Sequence, residues 1–236
     1  MNTPSKNYMI TKMLTIISQT ELIKTFTIFY LVGLTIFIIP FTRELFIFLT
    51  PLSLIFVFGA LMYNHSEWDN KFIIFSVFVY LSSFIIEAIG VNSGAIFGEY
   101  IYLKGLGPKI FNTPLIIGIN WLLLIYCSRG VVIYIERAYK LNISISKFWT
   151  IIISSLLMVS YDIILEVAAP IMKMWEFNGG YPPIDNYIAW FVISLIFHTI
   201  FNFTTSKNSI LYKESSTLFL VQILFFLSII IFSNIT

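Results

Sequence analysis

Apolar residues along this chain come in long unbroken runs, with polar and charged positions gathered in the short stretches between them. Seven runs stand out, at roughly 23–40, 45–63, 72–91, 112–131, 148–168, 187–205 and 216–234. Each is close to the ~20 residues that carry a helix across a hydrocarbon core roughly 30 Å thick. Runs rich in Ile, Phe and Leu would suit strands in water. In lipid, however, every backbone group must be satisfied within its own segment, so the pattern predicts helices. Chain breakers fall between the runs, at Pro40, at Gly105, Gly107 and Pro108, at Pro170, and from Asn178 to Pro183. With no internal repeat and no low-complexity tract, the expected architecture is a single integral-membrane domain over residues 1–236. A polar N-terminal segment (1–22) would lead into an all-α, polytopic transmembrane bundle of about seven spans (23–234).

Composition agrees. The chain is 58% hydrophobic and 11% charged, with a mean hydropathy of +0.89, whereas soluble domains carry about 25% charged residues. A net charge of +2 without a basic stripe argues against a nucleic-acid partner. The single Cys127 lies inside an apolar run, which excludes a disulfide framework or a cysteine metal knuckle. Residues 1–20 contain Lys6 and Lys12 but no apolar stretch ending in a small-residue cleavage site, so no removable signal peptide is expected. Seven spans with the N-terminus inside place ten basic residues on the inner side: Lys6, Lys12, Lys24, Lys71, Arg129, Arg137, Lys140, Lys147, Lys207 and Lys213. Four (Arg43, Lys104, Lys109 and Lys173) fall on the outer side, a bias that favours a cytoplasmic N-terminus.

Candidate chemistry concentrates in two blocks, EAIGVNSGAIFGEYIY from Glu87 and YDIILEVAAPIMKMWEFNGGYPPIDNYIAW from Tyr161. The topology brings both to the same membrane face. Asp162 and Glu166 are four apart and share one helical face. Two close carboxyls in an apolar setting resist double ionisation, so one would keep a proton near neutral pH and could donate it. The competing reading is assembly, with the pair tied to Lys173, Asn186 or a neighbouring helix. Glu87 is a third acid, set among Phe84, Ile85, Ile86 and Ile89. Gly90, Gly94 and Gly98 follow at four-residue spacing, which reads more readily as a helix-packing surface than as a ligand contact. Aromatic and amide residues surround the acids: Phe97, Tyr100, Tyr102, Trp121, Trp175, Tyr181, Tyr187 and Trp190, with Asn92, Asn120 and Asn186. Ring faces attract positive charge, so such a setting suits a developing cation. Asn120, deep in the fourth span, could orient a carboxylate or a water. His198 reads as a hydrogen-bonded packing residue, and with His65 as the only other histidine, histidine-box di-iron chemistry is excluded. Glu99, Glu176 and Asp185 read as rim residues. No nucleotide, nucleophile-elbow or metal motif is present.

At these blocks the chain resembles the carotenoid biosynthesis membrane proteins that include the carotenoid 1,2-hydratases and bisanhydrobacterioruberin hydratase. Glu87, Gly90, Val91, Gly94, Phe97, Gly98 and Tyr100 match that family's E-x-x-G-V-x-x-G-x-x-F-G-x-Y pattern, and GPKIFNTPLIIGINWLLLIYC, with Pro114 and Trp121, looks like its continuation. Asp162, Glu166, Trp175, Pro183, Asn186 and Trp190 match the second block, so the resemblance spans roughly residues 55 to 205. The chain departs from it at Val167, where many relatives place Pro directly after the acid, and at Glu99, where Asp is common.

The resemblance implies a hydratase (a hydro-lyase) that adds water across the terminal C1–C2 double bond of an acyclic carotenoid end group, with no cofactor. The setting implied is a bacterial inner membrane. Partners would be the lipid bilayer and a hydrophobic carotenoid, with other enzymes of the pathway as candidates. Candidate catalytic residues are Glu87, Asp162 and Glu166; candidate substrate-binding residues are Gly90, Gly94, Phe97, Tyr100, Asn120, Trp121, Trp175, Asn186 and Trp190. Two alternatives stay open. End-group cyclisation begins with the same protonation, and a small-solute transporter would use the carboxylates as proton or cation sites. The repeat symmetry and paired broken helices expected of a transporter are absent from the sequence.

Overall fold

The computed structural model describes residues 6–139 and 146–235, with side chains from 20 to 139 and from 146 to 234. Lys140 therefore lies outside the described residues, as do the side chains of Lys6 and Lys12. Seven helices are long and apolar enough to cross a membrane: α1 (Lys6–Ile38), α2 (Pro40–Tyr63), α3 (Asn70–Ser93), α4 (Ile117–Ala138), α5 (Lys147–Ile171), α6 (Ile184–Thr204) and α7 (Tyr212–Ile235). The all-α transmembrane architecture is as the sequence predicts.

Local chemistry sets several helix ends. Pro40 opens α2 as its first residue, where a missing N–H costs nothing. The Asp69 carboxylate caps α3 by accepting from the Phe72 N–H at 2.8 Å, and the Ser146 hydroxyl caps α5 by accepting from Trp149 N–H at 3.4 Å. Gly94 ends α3 in the left-handed conformation (φ 68°) that glycine tolerates without a Cβ clash.

Two expectations need correction. Pro40 and Pro170 are not between helices: one starts α2 and the other sits in the last turn of α5, one residue before the helix ends. The fourth span begins at Ile117 rather than 112 and runs on to Ala138. The residues before it form a hairpin of β2 (Lys109–Ile110) and β3 (Thr113–Pro114), turned through Phe111 (φ 51°) and Asn112 (φ 60°). Helix α1 starts within the polar segment 1–22, and its apolar span begins at Thr20.

Helix α4 is the hub. Its most apolar stretch is 83% buried, against 17–44% for the other six, so α4 is shielded by protein while the rest face lipid on one side. The neighbours pack around it in the order α3, α6, α5, α7, α1, α2. On α3 the two faces separate cleanly. Phe72, Phe75, Val79, Ser83, Glu87 and Gly90 point inward, while Ile74, Leu81, Ile85 and Ile89 face outward. Glu87 thus belongs to the bundle interior, as an intramembrane acid must.

Candidate active site

Two connections at one end of the bundle close over the acids. In the α3–α4 connection, β1 (Tyr100–Tyr102) pairs antiparallel with β4 (Trp175–Phe177) from the α5–α6 connection. The register matches Tyr100 with Phe177, Ile101 with Glu176 and Tyr102 with Trp175. Alternation along a strand sends Tyr100, Tyr102, Trp175 and Phe177 inward and leaves Ile101 and Glu176 exposed. Backbone bonds extend the pairing, from Leu103 N to Met174 O (2.8 Å) and from Asn178 N to Glu99 O (2.9 Å). Glu44, near the start of α2, binds both connections through Lys104 (2.7 Å) and Lys173. The structure therefore gives Lys173 to Glu44 and not to the acid pair.

Each acid is held by its own donors. Tyr100 and Tyr102 both donate to Glu87 Oε2 at 2.7 Å, and the Trp121 indole donates to Glu87 Oε1 at 2.9 Å. Trp175 donates to Glu166 Oε2 at 2.8 Å. The Asn186 amide spans the pair on α5, donating to Asp162 Oδ2 and Glu166 Oε1 at 3.2 Å each. Asp162 is fully buried, and its Oδ1 has no hydrogen-bond partner among the described residues. Burial, reinforced by the adjacent Glu87 carboxylate, pushes the Tyr100 and Tyr102 hydroxyls well above the ordinary tyrosine range, so both stay protonated donors.

Glu87 and Glu166 line one small cavity of about 20 Å³. Of the residues expected to contact substrate, Phe97, Tyr100, Asn120, Trp175, Asn186 and Trp190 line it as well. Trp121 lies behind the wall, stacked on Trp190 with ring centroids 4.2 Å apart and planes at 19°. Asp162 does not line the cavity and reaches Glu166 through Asn186. A second, predominantly apolar cavity of about 40 Å³ shares Ile117, Asn120 and Trp175 with the first and runs among α1, α2, α4, α5 and α7.

Some candidates have other tasks. Gly90 makes room for the Phe97 ring, whose Cδ2 would lie 2.6 Å from an added Cβ. Gly94 and Gly98 fall beyond the end of α3, so the three glycines form no helix-packing stripe; Gly98 instead abuts the Pro183 ring. Asn92 is exposed and holds the β2–β3 hairpin, donating to Phe111 O (2.9 Å) and accepting from Asn112 (2.8 Å). His198 packs as expected, its Nε2 hydrogen-bonded to Ser128 Oγ at 3.1 Å. No metal-binding cluster occurs among the described residues. Tyr102, Ile117 and Phe177 also line the cavity, although only Tyr102 stands out in the sequence, as one of the aromatics around the acids. The alternation in YIY and WEF that turns Tyr102 and Phe177 inward is too short to read as a strand from sequence alone.

A family model for carotenoid biosynthesis proteins matches residues 45–236, which includes both acid-bearing blocks. The chain belongs to the carotenoid biosynthesis protein family. No curated protein and no solved structure is significantly similar to it. Membership gives this carotenoid biosynthesis protein a role in making carotenoids, in contact with lipid and a hydrophobic substrate. An apolar cavity adjoining a carboxylate-lined one is consistent with that role.

Proposed function

We propose that the protein hydrates the terminal C1–C2 double bond of an acyclic carotenoid by acid–base catalysis. The observation that carries this reading is the pair of carboxyl groups, Glu87 and Glu166, facing one small cavity that adjoins an apolar one. The polyene end group would approach the acids along the apolar cavity, which must widen to admit it.

Their surroundings favour different roles. Glu87 collects three donors on its two oxygens, an arrangement suited to a carboxylate that stays negative. Asp162 and Glu166 share a single amide donor group and stand one helical turn apart, an arrangement suited to a pair holding one proton between them. Glu166, on the cavity wall, delivers that proton to the less substituted alkene carbon. The π electrons form the new C–H bond and leave a tertiary cation at C1. Glu87 and the aromatic walls stabilise that charge. Water adds to C1 through oxygen, its proton passes to Glu87, and return of that proton to Glu166 across the shared cavity restores the starting state. Alkene and water are consumed in equal number, so no redox step is needed.

Expression in a lycopene-producing bacterium, with pigments resolved by chromatography and mass spectrometry, tests the reading. A product heavier by one water with unchanged polyene absorption is expected. An isomer of unchanged mass with blue-shifted absorption would replace hydration with cyclisation. Unaltered pigment alongside correctly inserted protein would count against both.

A further inference from the structure

At the opposite end of the bundle, α4, α5, α6 and the connection after α6 line a second polar cavity of about 250 Å³. Arg129 forms its inner wall and is only 7% exposed. One guanidinium nitrogen, Nη2, donates to Asn202 Oδ1 at 2.6 Å, while Nη1 has no partner among the described residues. The Asn202 Nδ2 and Thr205 Oγ1 atoms are also buried and without a partner among the described residues, and both residues line the same cavity. Lys147 and Lys207 stand at its exposed margin. Glu136, the acid in the neighbourhood, is engaged by Lys207 and makes no ion pair with Arg129. The first turn of α5, a helix of 25 residues, also faces the cavity through Lys147 and Thr150, so its positive dipole end adds to the field.

A buried guanidinium with no direct ion pair among the described residues is costly, and unmatched donors beside it add to that cost. An oxyanion with several acceptor oxygens meets all of these groups at once: a fork of N–H donors, an amide, a hydroxyl, two ammonium groups and a helix N-terminus. Basic pockets between transmembrane helices suit phosphate-bearing head groups. We propose that this cavity is a binding site for a phosphate group, carried either by an anionic phospholipid or by a free phosphate or diphosphate. It is separate from the carboxylate cavity: the 16 positions from Thr150 to Glu166 span about 24 Å along α5. The proposal does not depend on the hydration chemistry.

The full chain purified in mild detergent provides the test. Native mass spectrometry would follow retention of phosphatidylglycerol or phosphatidic acid against phosphatidylcholine after exposure to an equal mixture. Thermal unfolding would be followed during titration with inorganic phosphate or diphosphate at constant ionic strength in chloride. Saturable stabilisation by phosphate or diphosphate assigns a free ligand. Selective retention of the anionic phospholipid alone assigns a head group. In either case Arg129→Gln weakens binding at least tenfold, in line with loss of charge-assisted hydrogen bonds worth about 1.5–3 kcal/mol each. Lys147→Ala weakens it about threefold, since an exposed charge contributes about 0.2–1 kcal/mol. If Arg129→Gln fails to fold, the double variant Lys147→Ala with Thr205→Val takes its place, leaving the guanidinium intact. The proposal is overturned by absence of both saturation and lipid selectivity in the wild-type protein, or by unchanged binding in the folded variants.

Discussion

Tyr102 and Trp175 are direct partners across the β1–β4 ladder, and each donates a hydrogen bond to a different acid, Tyr102 to Glu87 and Trp175 to Glu166. One cross-strand pair thereby sets the positions of two carboxyl groups that belong to different helices. Tyr102→Phe removes the donor and keeps the ring, while Trp175→Phe removes the donor together with part of the indole. Tyr102→Phe and Trp175→Phe are each expected to slow product formation about 10- to 100-fold, the equivalent of a hydrogen bond to a charged group at about 1.5–3 kcal/mol. Pigment turnover measured beside membrane-inserted protein level checks this; unchanged turnover in both would show that the ladder does not govern the acids.

The acids themselves should be more sensitive. Glu87→Gln and Glu166→Gln keep shape but cannot exchange a proton, and each is expected to lower turnover by about 10²-fold or more, the usual reach of general acid–base catalysis. Asp162→Asn should fall into the same class, because Glu166 loses the partner with which it shares a proton. Normal insertion with lost turnover separates chemistry from assembly.

Gly98 tests the closure of the site from outside. Its φ of +88° is one that side-chain-bearing residues rarely adopt, and an added Cβ would lie 2.5 Å from Pro183 Cγ. Gly98→Ala should cost at least the ~1–2 kcal/mol of the backbone strain, visible as a lower unfolding temperature. Gly179 has a similar φ of +97° but open space around it, so Gly179→Ala should cost less.

The two clamp tyrosines predict a pH response. Their hydroxyls titrate above the ordinary value of 10.0 because burial and the neighbouring Glu87 oppose ionisation. The unfolded chain ionises these groups first as pH rises. Their contribution to stability is therefore complete below the ordinary tyrosine value and declines above it. Thermal unfolding across an alkaline series should show that decline, and Tyr102→Phe should flatten it.

Seven spans and the three acids were legible in the sequence because the bilayer imposes simple rules: long apolar runs form helices, and carboxyls inside them stand out. The charge pattern also grouped the connections by side, and Lys104 and Lys173 do meet on one acid, Glu44. The ladder was not legible. Three-residue strands such as Tyr100–Tyr102 and Trp175–Phe177 lie below the length at which alternation distinguishes itself, and their pairing joins segments 73 residues apart at Tyr102 and Trp175. The late start of α4 was hidden for a related reason. Residues 112–114 read as the start of the apolar run that continues from Leu115, although a tight hairpin takes them up.

The ladder has a consequence for how the protein meets its membrane. Helices accommodate a thicker or thinner bilayer by tilting, which shifts side chains on neighbouring helices relative to one another. Here the last two turns of α3 and α5, which carry Glu87 and Glu166, are joined by hydrogen-bonded backbone lying beyond the helix ends. Lipid-driven tilt is taken up along the far lengths of the helices, and the distance between the two acids is insulated from hydrophobic mismatch.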